Sequence, residues 1–430
     1  MVAQLVQSFA AGAWATIFLS IHVATQTNLS MFSETLQMIS TNVRPHIENI
    51  GHSIYVNPET ALEEYFATST TIGYFDDNPF NVTKQAYGFE TFLKLTFENL
   101  PAGYGGNVPT LAFLLEYDAL PEVKHACGHN LIATVGLTAA TMTREALLYY
   151  NIPARVVVHG CFDEEDTDGK RLLLNAGAFD DEYAIFMMAN PTATSAVQPM
   201  QARIDVKVEL SGSTHFEVVG KTYQVLATIQ DLADSPPGHS STASSIEQIG
   251  MGRDVAFATQ AYTLSENESG VVIMFTGPGR HASEGNKLGI TVSVRPRYTV
   301  ELEEVRSYID NAIWELSDSV TYDIPYPALE VHEELGQYFI DLMATPEFSD
   351  NSWAFSSIAP AATDASLVQN PTINETSYEL LSTSRVIFHP NYGICDTSTV
   401  ASCPFNHEPE FDDIADLDYA YMQAERWRGR

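Results

Sequence analysis

Three short apolar runs, TLAFLLE at 110–116, RVVVHG at 155–160 and AIFMM at 184–188, constrain this chain more than any other feature. Each is almost unbroken rather than alternating, the pattern of a strand covered on both faces. Between the first two lies NLIATVGLTAATMTREALLYY, whose apolar spacing predicts a helix starting at Asn130. Strand, helix, strand predicts a parallel crossover sheet and an α/β fold. Polar residues gather just after each run: Asp118 to His129, Asp163 to Asp168, and Asn190. Ligands bind outside the carboxyl ends of parallel strands, so three clusters at three such ends predict one site.

Upstream, TLQMISTNVRPHI predicts an amphipathic helix from about Met31, and PETALEEYFATSTTIGYF a second one, opened by Pro58 with acids in its first turns. Near residue 203 the texture changes. ARIDVKVELSG alternates as a half-exposed strand, GVVIMFTG and GITVSVRPR repeat the style, and ELEEVRSYIDNAIWEL follows as a helix. At 430 residues the chain exceeds one ordinary core. The expected organisation is an N-terminal extension (1–30), a larger domain built from 31–202 and 321–430, and a smaller antiparallel α+β domain (203–320) inserted into it. The apolar centre Phe9–Val23 is short for a membrane span and suits a signal-peptide core, with a docked N-terminal helix as the alternative. Cytoplasmic and secreted settings both stay open, and no membrane span is expected.

Asp and Glu number 55 against 21 Lys and Arg, a formal charge of -34, which repels a phosphate backbone and excludes nucleic acid as a natural partner. Four cysteines do not make a disulfide framework, although Cys395 and Cys403 are close enough in sequence for a loop-closing bridge.

In HACGHN, His125, Cys127 and His129 occupy alternate positions, which in an extended segment would point to one side. Thiolate and imidazole together suit zinc. A buried thiol beside hydrogen-bonded histidines is the plain alternative. Glu164–Glu165 adds a carboxylate pair leaving a strand on opposite sides, one placed to hold metal and the other to act as general base.

EYDALP followed by HACGHNLIA resembles the signature of the metallopeptidase family twenty amidohydrolases, which include aminoacylases, carboxypeptidases, dipeptidases and N-acyl amino acid hydrolases. The likeness is strongest to the dipeptidase branch acting on peptides with a basic C-terminal residue. NAGAFDDEYAIFMMANP, ATDASLV (362–368) and FNHEPEF (405–411) follow in the family's order, so the resemblance runs from about residue 31 onward. It implies a zinc-exopeptidase-like mixed sheet sandwiched by helices, with the inserted domain as a lid and homodimer contact. It implies Cys127, His129, Glu165 and His407 as metal ligands, Glu164 as general base, and Asp118 as the acid that orients the centre, a role ligand geometry requires. The expected reaction is hydrolysis of an amide bond in a dipeptide or N-acyl amino acid, with zinc, one ion or two, as cofactor.

Several positions depart from the family pattern. GCFDEE (160–165) replaces Gly-Thr-Pro-Ala-Glu-Glu but keeps both glutamates. Asn190–Pro191 replaces His-Pro, and an amide oxygen favours harder cations than zinc, so Asn190 is expected to be a weak ligand. GKTYQ (220–224) puts Gln224 where the family has the histidine that supports the oxyanion. HASEGN (281–286) replaces the Asn-Ile-Ile-Pro loop, while His215 and His239 read as surface or loop histidines. His389 matches a family histidine near the substrate pocket, and Arg295 is placed either to grip a substrate carboxylate or to form a structural ion pair. The departures motivate an alternative: a repurposed relative with one metal or none, catalysing a non-hydrolytic carbonyl reaction or only binding a ligand.

Overall fold

A computed structural model describes residues 29–60, 62–75, 79–166, 168–180, 184–234, 246–249, 272–276, 287–346, 348–356, 361–370, 385–398 and 402–426. The segment Phe9–Val23, His239 and the HASEGN loop fall outside these residues. The chain divides into two compact units, one comprising Met1–Val197, His332–Phe355 and Arg385–Arg430, the other Gln198–Val331 and Ser356–Ser384.

The strands, in chain order, are β1 (Asn81–Lys84), β2 (Leu93–Asn99), β3 (Thr110–Glu116), β4 (Ala154–Cys161), β5 (Ala184–Met187), β6 (Asn190–Thr192), β7 (Ile204–Ser211), β8 (Ile246–Ile249), β9 (Val272–Thr276), β10 (Lys287–Arg295), β11 (Ser319–Tyr322), β12 (Val386–Phe388) and β13 (Asn391–Gly393). The first unit holds a six-stranded sheet in the order β1-β2-β4-β3-β5-β12. Its β4, β3, β5 and β12 run parallel, while β1 and β2 form an antiparallel margin. The three apolar runs are thus the middle of a mixed sheet, and nearly every residue of β3 and β4 is buried.

The helix His129–Tyr150 crosses from β3 to β4 and packs on both, with the helix Leu29–Val56 on its outer side. Gly136 permits this approach, because a Cβ there would lie 2.2 Å from Leu115 Cδ2. Leu115, on the helix side, and Leu114 are both fully buried, and each such side chain stabilises by about 1.5–3 kcal/mol. Among the described residues this is the one helix long and apolar enough to cross a membrane, and it is the buried central helix of the unit.

The helix expected from Pro58 starts instead at Tyr65. The Glu59 carboxylate accepts the N–H groups of Phe66 at 2.7 Å and Ala67 at 2.9 Å, so an acid read as part of the first turn caps it from outside. The first helix extends as Leu29–Val56 and carries Pro45 within it.

The second unit is a five-stranded sheet in the order β11-β7-β10-β9-β8, antiparallel except for the β8–β9 pairing. Along β7, Ile204, Val206, Val208 and Leu210 are buried while Lys207 and Glu209 are exposed. The buried set joins Val218 and Val225 of the helix His215–Asp234 and Leu302, Val305, Ile309 and Ile313 of the helix Leu302–Ile313 in one core. ATDASLV contributes the short helix Ala365–Gln369 to this unit.

Candidate metal centre

Asp118 lies two residues beyond β3 and is fully enclosed. Its Oδ1 accepts a hydrogen bond from His129 Nδ1 at 3.0 Å, and its Oδ2 accepts the backbone N–H of Glu165 at 3.0 Å. The Asp118 carbonyl also lies 2.8 Å from His129 Nδ1. One carboxylate therefore links the segments after β3 and β4 and fixes the proton of His129 on Nδ1, which leaves Nε2 as a lone pair facing away. Burial alone would raise the Asp118 carboxyl. The His129 ring, the two hydrogen bonds and Lys170 outweigh that and hold it below the usual carboxylate range.

The HACGHN segment is a turn, not an extended strand, which corrects the alternation reading. Gly128 N–H donates to the His125 carbonyl at 2.8 Å, Gly128 takes φ +78°, and the helix begins at His129. His125 consequently leaves the site: its Nε2 lies 3.2 Å from the Ile54 carbonyl, and burial pushes the ring down to about 4. Cys127 and His129 stay together because of the left-handed glycine between them, whose Cβ would sit 2.5 Å from Pro191 Cγ.

The donor atoms of Cys127, His129 and Glu165 all lie within 4.8 Å of one another. Glu165 Oε1 is 3.7 Å from His129 Nε2 and 3.6 Å from His407 Nε2, and it is buried without a hydrogen-bond partner. The two imidazole nitrogens flank that oxygen at separations too long for hydrogen bonds, with the Cys127 thiol in the same cluster, the spacing of donors around a shared cation. His407 arrives from a distant segment through backbone ties. Its N–H donates to the Ala126 carbonyl at 2.9 Å, and Asn406 Nδ2 donates to the carbonyls of Pro191 at 2.9 Å and Cys127 at 3.3 Å. His407 itself adopts φ +74°.

Left to themselves these groups hold on to their protons. Burial and Glu165 push the Cys127 thiol up, burial and Glu116 push the Glu164 carboxyl up, and burial and Asp118 do the same to Glu165. Burial would lower His129, but Cys127 and Asp118 outweigh it and raise the ring well above its usual value. A cation binding here would displace those protons, and the thiolate, imidazole and carboxylate set suits zinc.

Glu164 Oε2 lies 3.9 Å from His129 Nε2, beside the donors. Next to it are two residues that spacing arguments pass over: Glu116, whose Oε2 is 3.5 Å from His129 Nε2, and Lys170, which is fully buried and ion-paired to Glu116 Oε1. The available signal for Glu116 is an acid closing an otherwise apolar strand, and for Lys170 one of two adjacent cations entering the helix Gly169–Asn175. His389 follows β12, is buried within electrostatic reach of Glu116 and Lys170, and has no hydrogen-bond partner on either ring nitrogen. Burial pushes it down to about 4.

Asn190 opens β6, half-buried, opposite Asn391 of β13. Gln224 and Arg295 belong to the second unit. Gln224 is exposed on the helix His215–Asp234. Arg295 ends β10, buried, where its charge helps Arg203 hold Asp205 below the usual range despite burial.

No family model matches this chain. Over 168 residues it is 36% identical to the Xaa-Arg dipeptidase of Mus musculus, covering 38% of this chain and 39% of that protein. It is 37% identical over 172 residues to the Homo sapiens Xaa-Arg dipeptidase, with 38% and 39% covered. With a p-aminobenzoyl-glutamate hydrolase polypeptide of Escherichia coli it shares 29% over 159 residues, 32% of this chain and 31% of that one. The chain thus spans about two-fifths or less of the curated relatives it matches. Two solved structures share the fold. One is a proposed aminohydrolase from methicillin-resistant Staphylococcus aureus (TM-score 0.60, 16% identity, 91% of this chain and 97% of that one), the other an aminobenzoyl-glutamate utilization protein from Klebsiella pneumoniae (TM-score 0.54, 13%, 90% and 98%). By sequence over that segment the chain is similar to the two Xaa-Arg dipeptidases, and by fold over about nine-tenths of its length to these two solved structures.

Proposed function

We propose that the protein is a metal-dependent amidohydrolase that cleaves the amide bond of a dipeptide or an N-acyl amino acid. The observation that carries this reading is the unbonded Glu165 Oε1, flanked by His129 and His407 and joined by Cys127 within one donor cluster. Zinc is the cation that donor set favours, held by Cys127, His129, Glu165 and His407, with Asn190 at most a weak further ligand. A bound zinc ion supplies Lewis acidity, lowering the pKa of water and polarising a carbonyl.

The chain's own groups supply the rest. Asp118 keeps His129 oriented. Glu164, raised by burial and by Glu116, takes the proton of the attacking water and delivers it to the leaving amine. Lys170 offsets part of the charge of Glu116 behind it. His389, with both ring nitrogens unpartnered, supports a role in contacting substrate. Gln224 stands where the resemblance puts an oxyanion-supporting histidine and keeps one hydrogen-bond donor for that task. Arg295 has a fork suited either to a substrate carboxylate or to its structural neighbour Asp205, and the second unit keeps the role of lid and homodimer contact. A strong negative charge suits a substrate with a basic C-terminal residue, the class named for two relatives. A repurposed, non-hydrolytic role is not favoured, because the relatives are named as hydrolases.

The test is elemental analysis of the purified protein followed by a panel of Xaa-Arg, Xaa-Lys and neutral dipeptides and N-acyl amino acids. The zinc-loaded wild type is expected to cleave at least one class, and Glu164→Gln to lose about 10²–10⁴ in rate with its metal content intact. An unchanged rate in that variant removes Glu164 as base. A zinc-loaded wild type inert toward the whole panel removes the hydrolase reading.

A further inference from the structure

The first unit also encloses a cavity of about 240 Å³ away from the metal centre. Its floor is a row across one face of the sheet. Lys94 on β2 lies opposite His159 on β4, Val157 on β4 opposite Ala112 on β3, and Ala112 opposite Phe186 on β5. Thr110 and Ala112 are small, so the sheet leaves room there, and Phe179 and Tyr87 help to close the space. Ala112 lies four residues, about 13 Å, before the end of β3, beyond which Asp118 follows.

The chemistry of this cavity is specific. His159 is 3% exposed and packed by Phe92, Phe179 and Phe186 at ring separations of 6.0, 5.1 and 6.3 Å. Its Nδ1 has no hydrogen-bond partner. Leaving a buried polar atom unpartnered is unfavourable, so a ligand that bonds it gains correspondingly. Burial, with Lys94 alongside, pushes the ring down to about 3, which leaves it neutral and able to donate through one nitrogen. Lys94 Nζ donates to the Tyr87 hydroxyl at 3.3 Å and stands 5.6 Å from that ring. Asp180, also lining the cavity, is exposed and lies 3.7 Å from Arg385. One cation, one carboxylate and an aromatic slot thus surround a single space.

We propose that this cavity binds a free amino acid with an apolar or aromatic side chain. Its carboxylate is held jointly by Lys94 and His159 Nδ1–H, its ammonium by Asp180, and its side chain by Ala112, Phe179 and Phe186. The binding does not require the hydrolase reading, since none of these residues takes part in it.

L-phenylalanine is the probe, titrated into the full chain, with the ring nitrogen signals of His159 followed by NMR as a local readout. The expected result is saturable movement of those signals, with L-phenylalanine bound about tenfold or more tightly than 3-phenylpropionate or 2-phenylethylamine, each of which lacks one charge. Lys94→Gln, a rim substitution, and His159→Phe, which keeps the aromatic packing, are each expected to weaken L-phenylalanine binding about tenfold or more while near-ultraviolet circular dichroism stays native. Unmoved His159 signals at tens of millimolar probe overturn the proposal. Wild-type affinity in Lys94→Gln overturns it as well, and that variant alone decides the matter if His159→Phe does not fold. Equal affinity for 3-phenylpropionate overturns the part assigned to Asp180.

Discussion

At the scale of single residues, Asp118 governs the candidate centre without being one of its donors. Both of its oxygens are committed as acceptors, one to His129 and one to the backbone of Glu165, so an amide cannot serve both. Asp118→Asn keeps the volume but turns one acceptor into a donor aimed at an existing N–H. Zinc affinity is expected to fall about 10–100-fold, as measured by competition with a chromophoric chelator. Unchanged affinity would mean that His129 is oriented by the Asp118 carbonyl alone. Gly128 shows the same dependence on one residue from the backbone side. Its positive φ, not a strand period, brings Cys127 and His129 together. This explains why alternation in HACGHN pointed to His125 as well: spacing of two is shared by strands and by this turn, and only the turn sends His125 to the Ile54 carbonyl.

At the scale of elements, the segment from β13 to His407 is held by a disulfide between Cys395 and Cys403, eight residues apart with Cα atoms 5.8 Å apart. Asn406 and His407 follow three and four residues after Cys403 and make the ties to Ala126, Cys127 and Pro191. The double substitution Cys395→Ser, Cys403→Ser is expected to cost about 2.5 kcal/mol in urea unfolding through loop entropy, and to weaken zinc binding through His407. Wild-type values for both would separate the bridge from the site. The bridge was undecidable from sequence, because four cysteines allow it without requiring it. The central strands were legible because β3 and β4 are covered on both faces and carry unbroken apolar runs, and β7 because its burial alternates. The start of the Tyr65–Phe75 helix was not, since Glu59 caps it from several residues away. The ligand role of His407 came from motif resemblance alone. No local period links residue 407 to residue 129, and only the fold brings them near the same glutamate.

At the scale of the whole molecule, the net charge of -34 and the concentration of Glu116, Asp118, Glu164 and Glu165 at one set of strand ends oppose compactness, and Lys170 answers only part of that repulsion. A cation bound to the folded state therefore contributes to its stability. Zinc at a hundred times its Kd is expected to add about 2.7 kcal/mol, seen as a higher Tm in calorimetry and reversed by chelator. A Tm indifferent to chelation would leave the donor cluster without a cation to hold. The order of the donors along the chain carries a further consequence. Cys127, His129 and Glu165 are made early, whereas His407 emerges only after more than two hundred further residues have left the ribosome. A nascent chain paused before that point lacks His407, so the proposed four-donor set cannot assemble until that later segment has emerged and folded back.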